Sequence, residues 1–139
     1  MRNDQVLITK LKVIQVEGGD VKHAFKSSED SFKGFGEAYF SSIKAGHIKG
    51  WKRHTKMTCN LIVPIGTVKF VVGTEESGFK HFVIGEGNHC RISIPPDYWF
   101  AFKGVSDVDS LILNISDIEH SETESIKCDL DTFKYNWEN

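Results

Sequence analysis

Short runs of strand-forming residues, each closed by a turn signal, recur along this chain, and no apolar helical period lasts for three turns. An all-β fold is the expectation. The predicted strands are Gln5–Gln15, Gly36–Ile43, Ile48–His54, Thr58–Pro64, Thr67–Val72, Phe79–Ile84, Cys90–Ile94, Trp99–Phe102 and Ser110–Ile115. Gly18-Gly19, Ala45-Gly46, Gly66, Gly85 through Asn88, Pro95-Pro96-Asp97 and Gly104 through Asp109 break them. Glu29–Phe35 and Thr132–Trp137 each read as a short helical turn in a terminal extension.

A chain of 139 residues has length for one domain, spanning residues 1–139, since ordinary domains run to about 100–150 residues. With 40% hydrophobic residues and a formal net charge of −2 it is too apolar and too weakly charged for disorder. No apolar run reaches the roughly 18 residues that would cross a bilayer. Asp4 and Lys10 interrupt the start where a secretory signal needs a continuous apolar stretch, so the expected location is the cytoplasm. Cys59, Cys90 and Cys128 are odd in number and form no CxxC, which argues for reduced thiols and against a disulfide framework or a cysteine zinc site.

The small net charge hides a segregation. Between Ala38 and Thr74 there is no Asp or Glu, yet Lys44, Lys49, Lys52, Arg53, Lys56 and Lys69 fall there. From Ser116 to Asn139 seven acids face two lysines. Such asymmetry suits an anionic partner for the middle of the chain. A nucleic acid is not expected, because interleaved exposed aromatics and overall positive charge are missing. Within Ile48–His54, alternation puts Lys52 and His54 on one strand face and Trp51 and Arg53 on the other. An inward lysine is costly in a dry core, so an inward Lys52 implies either a wet, ligand-accepting cavity or a different register of the strand.

P-loop, GxGxxG, HExxH and nucleophile-elbow patterns are absent. Two segments remain distinctive, Gly46-His-Ile-Lys-Gly-Trp-Lys-Arg-His54 running on through Cys59 to Gly66, and Ile94-Pro-Pro-Asp-Tyr-Trp-Phe-Ala-Phe102. Their spacing resembles that of a cupin, which implies a jelly-roll β-barrel or sandwich. The positions that bind metal in metallocupins are Lys52, His54, Cys59 and Phe100 here, and a cation beside one histidine does not hold a divalent ion. No metal or other cofactor is expected.

Within cupins the chain is more similar to the metal-free RmlC-like group, typified by dTDP-4-dehydrorhamnose 3,5-epimerase and related sugar-nucleotide 3,4-ketoisomerases. The group's SxxxxGxxRGxH stretch lines up on Ser41 through Gly46, Lys49, Gly50 and Lys52, and its IPPGFAHGF segment on Ile94 through Phe102. The resemblance implies an epimerase acting on a nucleoside-diphosphate 4-keto-6-deoxyhexose at C3, or at C3 and C5, for a deoxysugar of a surface polysaccharide such as O-antigen or capsule. It also implies a homodimer paired through the N-terminal strand. The family's catalytic histidine falls at Lys52, its tyrosine at Leu113, and the aspartate that orients the histidine lies beyond the end of the matched chain. Its diphosphate-binding arginine falls at Lys49, which keeps the charge without the bidentate fork.

Removing a proton beside a ketone needs a base, stabilisation of the enolate and a proton returned from the other face. The candidates are His54 as base, Lys52 as electrophile or base, and Tyr39 or Tyr98 as proton donor. Lys49 and Arg53 are candidate diphosphate contacts, Tyr98 and Trp99 candidate stacking platforms for a nucleotide base, and Cys59 a pocket thiol whose pKa a basic setting would lower. Two alternatives stay open, a 3,4-ketoisomerase and a catalytically silent nucleotide-sugar-binding cupin.

Overall fold

The computed structural model of the chain describes residues 5–138. In order, the strands are β1 (Leu7–Lys10), β2 (Val13–Ile14), β3 (Val21–Lys22), β4 (Glu37–Ile43), β5 (Ile48–His54), β6 (Cys59–Ile65), β7 (Thr67–Thr74), β8 (Gly78–Gly85), β9 (Cys90–Ile94), β10 (Trp99–Gly104), β11 (Ser110–Ser116) and β12 (Ser125–Lys127). They build two five-stranded antiparallel sheets, β1-β9-β6-β11-β4 and β12-β5-β10-β7-β8, with β2 and β3 as a separate hairpin. Among the described residues, no helix is long and apolar enough to cross a membrane.

Alternation explains the packing. On β11 the even-numbered residues Ile112 and Asn114 are buried while Leu111, Leu113 and Ile115 are half-buried. The inward residues of both sheets, including Cys59, Leu61, Val63, Val68, Phe70, Val72, Ile92 and Ile94, share one apolar core. Each such side chain contributes about 1.5–3 kcal/mol by leaving water. On β7 both faces are buried, because the segment after β12 covers the outer side of its sheet. There Trp51, Val71 and Ala101 lie under Leu130, Phe133, Tyr135 and Trp137.

Three expectations change. The run Gln5–Gln15 divides: β1 pairs with β9, and then β2 turns through Gly18 and Gly19, both at positive φ, to pair with β3. Glu29–Phe35 holds turns in place of a helix. The fully buried Arg91 claims it, donating from Nη1 to the Ala24 carbonyl at 2.6 Å and from Nη2 to Glu29 Oε1 at 3.1 Å, with its guanidinium over the Phe25 ring. Near the C-terminus only Leu130–Thr132 forms a 3-10 turn, and Thr132–Trp137 is otherwise non-helical because its aromatics spread over the outer face of the sheet, packing on Trp51, Val71 and Ala101.

Candidate functional site

A cavity of about 350 Å³ opens between the sheets. Lys49, Lys52 and His54 of β5 form one wall with Phe100 and Phe102 of β10. Tyr39 and Ser41 of β4, Cys59 and Leu61 of β6, and Ile112 and Asn114 of β11 form the other, while Lys127 of β12 adds a third lysine.

Strict alternation would turn Lys49 away from Lys52. The β5–β10 register prevents this, since Lys52 pairs with Phe100 and Lys49 with Phe102, leaving one extra residue on β5 as a bulge. Glycine is required at the bulge, because a Cβ on Gly50 would collide with the Ala101 side chain. The end of β5 is held by Asp97, which follows the Pro95-Pro96 pair at a φ of +77° and donates its N–H to the His54 carbonyl at 2.8 Å.

His54 is 3% exposed, and its Nδ1 lies 2.7 Å from Glu124 Oε1. The other oxygen of Glu124, Oε2, accepts from the backbone N–H groups of Lys56 at 3.0 Å and Met57 at 2.9 Å. Thr55 ties down the same residue by donating both its N–H and its hydroxyl to the Glu124 carbonyl. Burial raises the tendency of Glu124 to hold a proton, but its bonds to His54, Lys56 and Met57 outweigh this and hold it below the usual carboxylate value. An ionised Glu124 can only accept, so His54 carries its proton on Nδ1 and leaves the Nε2 lone pair for the cavity. Burial is also the largest influence on His54, and with Lys52 nearby it pulls the imidazole below its usual value despite Glu124. His54 is therefore neutral at pH 7 and able to take a proton.

Facing it from the other sheet, Tyr39 Oη accepts a hydrogen bond from Asn114 Nδ2 at 3.0 Å. Burial pushes the phenol above its usual value, so it stays protonated. Lys49 donates to the Ser42 carbonyl at 2.7 Å at the exposed edge of the cavity.

Of the residues expected from sequence, Lys49, Lys52, His54, Tyr39 and Cys59 come together in this cavity. Arg53, Tyr98 and Trp99 do not line it. Arg53 lies on the other face of β5 with its guanidinium 5.3 Å from the Trp99 ring centre, Trp99 packs on Phe133, and Tyr98 packs against the main core. Cys59 is corrected in its chemistry: burial pushes its thiol up to about 12, overriding the nearby Lys52. Leu113, at the position of the family tyrosine, faces away from the cavity, and its neighbour Asn114 takes the inward place. A carboxylate does meet a cavity histidine, Glu124 against His54, at a strand position two residues beyond that of the family base. Trp51 is packing, its Nε1–H donating to the Leu130 carbonyl at 2.9 Å. His81 is exposed, and His89 is half-buried with Nε2 2.8 Å from the His23 carbonyl.

Glu124, Asn114 and Lys127 escaped the sequence reading. Asn114 carried a usable signal, a polar residue at an inward position of an alternating strand. Glu124 and Lys127 flank or sit in a three-residue strand, which is too short to show a period. Among the described residues, no group of three His, Cys, Asp or Glu side chains is arranged to hold a metal ion.

No family profile matches the chain. It is 31% identical over 144 residues to the Haloferax volcanii protein named "Probable low-salt glycan biosynthesis epimerase Agl13", covering 95% of this chain and 92% of that one. The crystal structure of a dTDP sugar isomerase from Desulfovibrio desulfuricans G20 superposes with a TM-score of 0.87 at 31% identity, over 91% of this chain and 85% of that one. The sugar 3,4-ketoisomerase QdtA from Thermoanaerobacterium thermosaccharolyticum shares the fold, with a TM-score of 0.75 at 19% identity over 87% of this chain and 86% of its own. The two-sheet jelly-roll and the relatedness to the Haloferax protein along nearly the whole length agree: the chain belongs to the RmlC-like cupin family of sugar-nucleotide epimerases and isomerases.

Proposed function

We propose that this protein is an epimerase of a nucleoside-diphosphate 4-keto-6-deoxyhexose, acting at C3 or at C3 and C5. The observation that carries the reading is the His54–Glu124 pair at 2.7 Å, set in a cavity across from Tyr39. His54 Nε2 takes the proton beside the ketone, and the C–H electron pair moves into the enolate. Lys52 supplies positive charge for the enolate oxygen. Tyr39, on the opposite sheet, returns a proton to the other face of the carbon. Lys49 and Lys127 complete a cationic surface suited to the diphosphate.

The relatives support the substrate class: the Haloferax protein is named an epimerase of glycan biosynthesis and the Desulfovibrio one a dTDP sugar isomerase. The latter also supports the second reading, a 3,4-ketoisomerase, for which the same base suffices. On the epimerase reading the protein works in the cytoplasm, supplies a deoxysugar for O-antigen, lipopolysaccharide or capsule, and pairs as a homodimer through β1, where Leu7 and Ile8 are 45% and 41% exposed.

The test is incubation with dTDP-4-keto-6-deoxyglucose in D₂O, followed by NMR. Deuterium at C3 and C5 with a new epimer marks a 3,5-epimerase, and at C3 alone with an epimer a 3-epimerase. A 3-keto product marks the ketoisomerase. Binding without exchange refutes catalysis on this substrate and favours a silent binder.

A further inference from the structure

Asn114 is 3% exposed, yet its side chain reaches two groups of the cavity, Tyr39 Oη and the Cys59 thiol. Its orientation is dictated by chemistry. Asn60 N–H, which can only donate, points at Asn114 Oδ1 from 3.0 Å, so the atom facing Tyr39 must be the NH₂ group. Asn60 is itself pinned, accepting from Ser93 Oγ at 2.7 Å and donating from Nδ2 to the Ile115 carbonyl at 2.9 Å. An amide held this way cannot flip. Tyr39 Oη is therefore an acceptor towards Asn114, and its own hydrogen must point elsewhere, into the cavity that the ring lines.

We propose that Asn114 is a positioning residue that sets the hydrogen-bond polarity of Tyr39, holding the phenol as a donor to whatever occupies the cavity. The inference rests on the reading of the cavity as a site of proton transfer beside a ketone. In that reaction His54 Nε2 removes a proton from carbon and the C–H pair enters the enolate. Tyr39 gives its O–H proton to the enolate carbon, whose π pair forms the new C–H bond. The phenolate left behind keeps the Asn114 N–H as its donor until water returns a proton, and His54 releases its own proton to water. Nothing is consumed besides the substrate. Asn114 thus acts twice, aiming the phenol before transfer and stabilising the phenolate after it.

Asn114→Asp tests the polarity directly. The carboxylate still accepts from Asn60 N–H but now also accepts the Tyr39 hydrogen, drawing it out of the cavity. In D₂O with dTDP-4-keto-6-deoxyglucose, the variant should wash deuterium into recovered substrate near the wild-type rate, because His54 is untouched, while product formation falls about 100-fold. Tyr39→Phe should give the same split, and adding Asn114→Asp to it should cost nothing more. If Asn114→Asp melts at a lowered temperature, Asn114→Ala replaces it. That variant leaves the phenol its proton without aiming it, so its product formation should fall less than that of Tyr39→Phe. Exchange and product falling in proportion, or product formation unaffected in both Asn114 variants, overturns the proposal. A wild-type protein that shows no exchange at all overturns the underlying reading, and the role of Asn114 with it.

Discussion

Glu124 and His54 lie 70 residues apart in sequence and 2.7 Å apart in the fold, and the strand that joins them is a three-residue one. β12 pairs with β5 so that Ser125 stands beside His54 and Lys127 beside Lys52. The acidic end of the chain thereby delivers one carboxylate to the imidazole and one lysine to the basic strand. The acidic tail meets the basic strand through Glu124, while β12 itself adds a further lysine to that strand's edge.

Replacing Glu124 separates its two roles. Glu124→Gln keeps an oxygen for the Lys56 and Met57 amides but turns an NH₂ group toward His54 Nδ1 and so no longer fixes the tautomer, and conversion of a 4-keto sugar nucleotide should fall on the order of 100-fold. Glu124→Ala also strands the Lys56 and Met57 amides, at a cost of about 1–3 kcal/mol, so its melting temperature should drop by about 5–10 °C. Activity assays beside thermal melts decide; equal melting of the two variants refutes the backbone role.

The pH dependence follows from His54. Its folded pKa lies below the usual 6.5, so it remains a base at pH values where a free imidazole is protonated. The acid limb of kcat/KM should therefore fall below pH 6.5. Unfolded His54 takes up a proton before the folded one does, so this group's stabilisation is present above pH 6.5 and is lost as pH falls through the folded value. Glu124, also lowered, adds a second loss at still lower pH, beneath its usual 4.5. Rates measured across pH 4–8 and melting curves across about pH 2–8 check these signs, and an acid limb centred above 6.5 contradicts them.

Much of the frame was legible because strands in a two-sheet fold declare themselves by alternation and turns. β5 at Ile48–His54 and β9 at Cys90–Ile94 coincide with their sequence expectations. Lys52 and His54 were readable as partners on one face for the same reason. Lys49 joins them through the Gly50 bulge, which only the register against β10 reveals. Arg53 and Trp99 were drawn toward the site by their chemistry, but strand parity sends Arg53 to the opposite face, where an aromatic layer covers Trp99. Asn114 was signalled by alternation on its own strand, whereas Glu124 depends on which strands become neighbours, information that no local pattern holds.

Cys59 provides a chemical check on burial. With its thiol pushed up to about 12, it should resist iodoacetamide at pH 8 in the native protein, as should the buried Cys90. Cys128 is half-buried and should be the thiol that reacts. Peptide mass analysis of native and guanidinium-unfolded samples reads this out. Native labelling of Cys59 ahead of Cys128 contradicts the burial.

The lysines should govern binding more than chemistry. Lys49→Ala and Lys127→Ala each remove a charge from the cavity without touching His54, and each should weaken dTDP binding about tenfold, measured by calorimetry. Raising the salt should narrow the gap between variants and wild type, because partly exposed charges are screened. Unchanged affinity in both variants places the diphosphate elsewhere.

Trp51 ties the outer layer to the site. Its indole is 1% exposed and packs on Phe79 at 5.0 Å and Phe133 at 5.3 Å between ring centres, while its backbone exchanges hydrogen bonds with Cys128. Since Cys128 directly follows β12, this layer also steadies the strand that carries Lys127 and adjoins Glu124. Trp51→Ala should cost about 3–5 kcal/mol, lowering the melting temperature and, in the surviving folded fraction, the rate. Trp51→Phe keeps most of the packing but loses the bond to the Leu130 carbonyl, so it should be intermediate in both. Full activity in a folded Trp51→Ala protein shows that the outer layer and the His54–Glu124 pair are independent.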